Sequence, residues 1–208
     1  MWYDFSYMKS ILRITLQTSL EQKQRLLALQ QAFAQVCNAL VPVVRESRCW
    51  NRVALHHMTY KSLREQFPAL GSQMVCNAIY SVCRASRLVY QHPDSPYNLA
   101  RLGDKPLPLL RFAVNCPVYF DRHTLSLKGG VLSLFTLDGR MRFQLTLQPE
   151  AELAFQTRKL REIVLSRRAE GEFELSFCLE AADEQSHVAE PVPAGDLPEY
   201  LIVEDQAA

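Results

Sequence analysis

Apolar and polar residues alternate strictly from Leu12 to Gln17, the period-two pattern of a strand with one face on a core. Leu12, Ile14 and Leu16 form that face. The period then changes. Thr18-Ser19-Leu20-Glu21 places a hydroxyl three residues before a carboxylate, the signature of a capping box. Leu26, Leu27, Leu29, Phe33, Val36, Cys37 and Leu40 follow at helical spacing, and Pro42 predicts the end of this helix or a kink in it. A second helical stretch covers about 51–66 and stops near Phe67-Pro68. A third starts at Gly71-Ser72, with Met74, Val75, Ala78, Ile79, Val82, Ala85, Leu88 and Val89 on its apolar face.

Residues 91–110 hold four prolines and one glycine, the composition of a connector. Strand patterns then dominate. Phe112-Ala113-Val114 and Val118-Tyr119-Phe120 lead to Leu125-Ser126-Leu127. Gly129-Gly130 is a turn before Val131-Leu132-Ser133-Leu134, and Asp138-Gly139 is a hairpin signal before Met141–Leu147. Residues 158–168 and 172–180 read as a further pair around Glu170-Gly171. A lone strand ahead of three helices and about six strands predicts an α+β chain whose helices are inserted into a β-barrel, with the first strand joining the later ones. The segments are a first barrel strand (1–17), a helical block (18–92), a linker (93–110), a β-barrel (111–180) and an acidic tail (181–208). That tail is expected to be mobile up to Tyr200-Leu201-Ile202-Val203.

Charge sharpens this division. The net charge of +1 conceals 23 basic against 11 acidic residues over 1–168, a net +12, and 11 acidic residues without one Lys or Arg over 169–208. A body this basic has the field of a polyanion binder. The six cysteines include no Cys-x-x-Cys pair and read as reduced, small hydrophobes, not a zinc site. No apolar run reaches the roughly 18 residues of a membrane span. The N-terminus lacks the pattern of a signal peptide, so the expected location is the cytoplasm. No Ser-His-Asp order, phosphate-cradling glycine loop or His-x-x-x-His pattern is present, and no cofactor is implied.

Three strings carry a resemblance. Leu12-Arg13-Ile14-Thr15-Leu16 precedes an amphipathic helix. Met58-Thr59-Tyr60-Lys61-Ser62-Leu63 is followed by Phe67-Pro68-Ala69-Leu70-Gly71-Ser72-Gln73 and Asn77-Ala78-Ile79. Tyr119-Phe120-Asp121-Arg122-His123-Thr124-Leu125-Ser126-Leu127 is followed by Leu134–Arg140. Together they resemble, over about 8–180, the N-terminal half of TnpB transposon proteins and of compact type V CRISPR effectors. The resemblance implies an oligonucleotide-binding-like barrel with an inserted helical recognition lobe. It also implies two partners, a guide RNA and target DNA. In that family a RuvC nuclease follows. Here Leu201-Ile202-Val203-Glu204-Asp205 looks like a first RuvC strand, but Gln206-Ala207-Ala208 follows in place of the family's leucine-glycine pair. The expectation is therefore a chain with no catalytic residues and no cleavage activity of its own. It would act as a subunit of a split effector, whose separate RuvC-like chain docks on the tail and Tyr200–Val203, or as a repressor. The alternative is a protein-interaction subunit that keeps the fold without RNA.

The candidate contacts to nucleic acid are these. Arg45, Arg48, Asn51, Arg52, Tyr60, Lys61 and Arg64 crowd cations and an aromatic into twenty residues opposed only by Glu46 and Glu65, a pattern suited to phosphates and stacked bases. Within the resemblance, Tyr60, Gln73 and Asn77 match the region that reads the target-adjacent motif. Gln73 and Asn77 share a helical face, and amides can bond adenine edges. Arg84 and Arg87 extend the third helix toward phosphates. Lys128, Arg140 and Arg142 lie at barrel turns and strand ends, and Arg158 and Arg161, with Lys159, Arg167 and Arg168, form the last basic cluster. His56-His57 points about 100° apart on a helix, so one is expected packed, the other exposed, and neither bound to metal.

Overall fold

The computed structural model of the protein describes residues 10–181 and 197–204. The chain is α+β. Strand β1 (Ser10–Thr15) leads to helices α1 (Leu20–Ser47), α2 (Arg52–Gln66), α3 (Ser72–Tyr90) and the short α4 (Leu99–Leu102). Strands β2 (Leu109–Phe112), β3 (Val118–Phe120), β4 (Leu125–Lys128), β5 (Val131–Thr136) and β6 (Gly139–Gln144) follow. Helix α5 (Pro149–Thr157) separates them from β7 (Arg158–Arg167), β8 (Phe173–Ala181) and β9 (Leu201–Glu204).

The first strand does join the late ones. β1 pairs antiparallel with β8, Ile14 opposite Leu175, and the sheet runs β1-β8-β7-β3. The β-region is not one closed barrel among the described residues, however. β4-β5-β6 form a second sheet and β2-β9 a third. Asp138-Gly139 makes the β5–β6 hairpin and Gly129-Gly130 the β4–β5 turn, where both glycines have positive φ.

Two further expectations change. Pro42 neither ends α1 nor breaks it. The helix continues to Ser47 because Leu40, Val41 and Val44 are buried against the rest of the core, which outweighs the roughly 3 kcal/mol penalty of an interior proline. The capping box is one residue later than the sequence pattern placed it. Ser19 and Gln22 exchange bonds, Ser19 N–H donating to Gln22 Oε1 at 2.9 Å and Gln22 N–H to Ser19 Oγ at 3.2 Å. The Tyr200–Val203 stretch, expected to be ordered, forms part of the fold. β9 pairs with β2, Leu201 is buried, and Ala113 N–H donates to Tyr200 O at 2.8 Å. Residues 182–196 and 205–208 of the tail lie outside the described residues. The 93–110 connector contains α4 and the first residues of β2.

One core runs through helices and sheets. Asn38 on α1 stitches them together like a strand edge, accepting Phe112 N–H at 2.7 Å and donating to Phe112 O at 2.9 Å. α1 is long and apolar enough to cross a membrane by length and composition, but its apolar side is buried in this core, with Leu26, Leu29, Phe33, Val36 and Leu40 closed to solvent. Cys37, Cys83 and Cys116 are buried and all six cysteines are free.

Candidate nucleic-acid interface

The three-stranded sheet has one buried and one open face because its strands alternate. Leu125, Leu132, Leu134, Met141 and Phe143 point into the core. The register puts the alternate residues in cross-strand rows on the other side: Lys128, Val131 and Gln144; then Ser126, Ser133 and Arg142; then Phe135 and Arg140. None of these eight is acidic. Phe135 is 37% exposed and Val131 38%. Arg140 lies over Phe135, its guanidinium carbon 4.4 Å from the ring centroid. It is fixed there by donating to Ser133 O at 3.3 Å and His123 O at 2.9 Å. An open antiparallel face with an aromatic, a guanidinium plane stacked on it, two more cations and small hydroxyls has the parts of a single-strand platform. Bases stack on the aromatic or the guanidinium, and cations take the phosphates.

The helical block meets this sheet through a run of polar bonds. Gln73 donates to Asp121 Oδ2 at 2.6 Å, Asp121 Oδ1 accepts His123 N–H at 3.0 Å, and His123 O holds Arg140. Asn77 is buried, with its amide donating to Tyr119 O at 3.1 Å. Gln73 and Asn77 share a face of α3, as their spacing predicts, but that face is turned onto the β3–β4 turn. Their amides hold the fold together and are not presented to a base edge.

Other predicted residues divide in the same way. Asn51 caps α2, accepting the N–H groups of Val53 and Ala54 at 3.0 and 3.1 Å. Arg64 donates to Leu70 O, and Arg48 to Lys105 O at 2.7 Å. Arg84 pairs with Glu162 at 3.1 Å, beside Tyr80, whose hydroxyl donates to the same carboxylate at 2.8 Å. Burial pushes the Tyr80 hydroxyl pKa up, and Glu162 adds to it. Tyr119, edge-on to Tyr80 at 5.5 Å, is raised further for the same first reason.

On α2, Arg52 lies 5.4 Å over the Tyr80 ring, and Tyr60 stacks on His56 at 4.6 Å. His56 is half-buried and His57 exposed, as the pair's spacing predicts. Lys61 and Arg52 face solvent with Val53 and Met58. Arg45, Arg48 and Arg87 lie toward the connector and not beside the sheet platform. Arg45 is close enough to Tyr90 to oppose the rise that burial gives that hydroxyl. Arg158 and Arg161 are exposed on β7, beyond Ile163 where its pairing with β3 stops, and the β7–β8 register slips between Leu160 and Glu162. Among the described residues no cluster of His, Cys, Asp or Glu could hold a metal ion.

The structure thus brings together Lys128, Arg140 and Arg142 of the predicted set and adds Phe135, which charge patterning passed over. Its signal was the break in alternation chemistry at Leu134-Phe135-Thr136, where an aromatic falls on the polar phase of a strand. No protein-family model matches the chain, and no curated protein matches it.

Proposed function

We propose that the protein binds single-stranded RNA on the open face of β4-β5-β6 and serves as the non-cleaving, RNA-holding part of a guide-RNA and target-DNA recognition assembly. The observation that carries it is the platform itself: Phe135 beneath Arg140, with Lys128 and Arg142 beside them and no carboxylate on the face. The +12 balance of residues 1–168 supports it by supplying a long-range field for a polyanion. The guide-and-target part rests on the sequence resemblance, and any cleavage would be supplied by a separate chain. The exposed α2 residues Arg52 and Lys61 are the second candidate contact, suited to the backbone of a duplex.

The test is fluorescence anisotropy with the full chain, freed of nucleic acid, against a labelled 12-nucleotide RNA at low salt. Phe135→Ala is expected to lower affinity by about 5- to 100-fold, the range for loss of one stacked base. Absence of RNA affinity in the unaltered protein would sink the proposal.

A further inference from the structure

The first sheet and the platform sheet leave a cleft between them, of about 390 Å³. Its two long walls are strand edges. Leu16 N–H donates to Phe173 O, so with the alternation of antiparallel ladders Leu16, Ile14 and Leu12 face β8, and Thr15 directs its backbone N–H and C=O outward. Leu145 N–H donates to Gly130 O, so by the same alternation Arg142 and Gln144 direct theirs away from β5, toward β1. Among the described residues, the outward backbone groups of Thr15 on one wall and of Gln144 on the other are therefore left without a partner. Its lining mixes the apolar residues Ile14, Phe143 and Leu145 with the amide of Gln17 and the hydroxyl of Thr146, and more of the lining surface is polar than apolar.

The lining discriminates between ligand classes. Among the described residues no carboxylate lines it, which disfavours a cation. Among the described residues Arg142 is the one cation that lines it, and that residue belongs equally to the platform face, so the cleft is continuous with it. A site built for free phosphate would gather more positive charge. An extended peptide strand would need the length of the β6 edge, but the Gln22 side chain already donates to Arg142 O at 3.4 Å, and the first turn of α1 closes that end. A compact, flat group with polar edges and apolar faces fits what remains.

We infer that this cleft takes one unpaired nucleobase, turned out of the RNA strand that crosses the Phe135 platform and read along its edge by Gln17 and the Thr15 and Gln144 backbones. Arg142 then holds the phosphate at the cleft mouth. This rests on the platform as an RNA site. A turned-out base loses its stacking on neighbouring bases, which contact with Ile14, Phe143 and Leu145 and a bidentate amide contact offset.

The experiment measures affinity for oligo-uridine 12-mers carrying a single central A, G, C or U. Unaltered protein is expected to favour one base by about fivefold or more. Gln17→Ala and the cleft-filling Thr146→Trp, each checked for an unchanged urea midpoint, are expected to bring the four RNAs within about twofold of one another. Phe135→Ala is expected to weaken all four alike and keep the preference. A preference that survives both cleft variants overturns the inference and leaves the platform standing, as does RNA binding with no base preference in the unaltered protein. Loss of RNA binding altogether overturns both.

Discussion

Asn77 shows how one side chain can be claimed by the fold. It is buried on α3, and its amide is the partner of Tyr119 O. Asn77→Ala would leave that carbonyl unpaired in a closed site, at a cost of about 1–3 kcal/mol, read as a lower urea midpoint; an unchanged midpoint would show that the bond contributes nothing. The tyrosines make a pH prediction. Burial raises the pKa of Tyr80, Tyr90, Tyr119 and Tyr200 in the folded chain and lifts the Cys83 thiol to about 11, whereas unfolded tyrosine titrates near 10 and cysteine near 8.5. Groups raised in this way support the fold below the unfolded values and lose that support as pH rises. Stability should therefore fall between about pH 9 and 11, seen as a declining denaturant midpoint. A flat profile there would contradict the burial of these hydroxyls. Asn77 also marks a limit of what the sequence shows. Spacing put Gln73 and Asn77 on one face of a helix, but which surface that face meets depends on residues some forty positions away in the β3–β4 turn.

At the scale of elements, local signals were legible where they were chemically specific. Asp138-Gly139 specified its hairpin, and the alternation of 12–17 specified β1. Helix α5 was missed although its signs are present: Pro149 in the first turn and Glu150 and Glu152 beside it suit a helix N-terminus. Its nine residues carry too little apolar periodicity to stand out between two strands. Pro42 is the opposite case: its local penalty is legible in the sequence, whereas the tertiary burial that outweighs it is not. Since Pro42 is exposed and denies Asn38 O its helical partner, Pro42→Ala should restore that bond and raise the urea midpoint, by an amount up to about 3 kcal/mol. A drop would mean that the proline's fixed backbone geometry is needed to seat Asn38 on Phe112. The separate sheets were beyond pattern reading, because strand order is fixed by register across long sequence distances.

For the whole molecule, charge is sorted along the chain and again over the surface. The platform face lacks carboxylates, whereas the acidic Glu174 is buried between Arg13 and Arg168. RNA binding should weaken steeply with salt, and Lys128→Ala should reduce the slope of log K against log salt by about 0.7, the share of one phosphate contact on a single strand. An unchanged slope would remove Lys128 from the interface.

The pairing of β1 with β8 has a consequence for how the chain is made. Leu12 and Ile14 stand opposite Phe177 and Leu175, so during synthesis β1 must wait for its partner until everything from α1 to β7 has been made. Its apolar face and hydrogen-bonding edge stay open throughout synthesis of α1 to β7, an interval in which an unpaired strand is a target for stray association. A circular permutant with new ends in the exposed Gly103-Asp104-Lys105 turn, its old ends joined, would make β8 and β1 close in time. Such a chain should refold faster than the natural order, as lower contact order predicts.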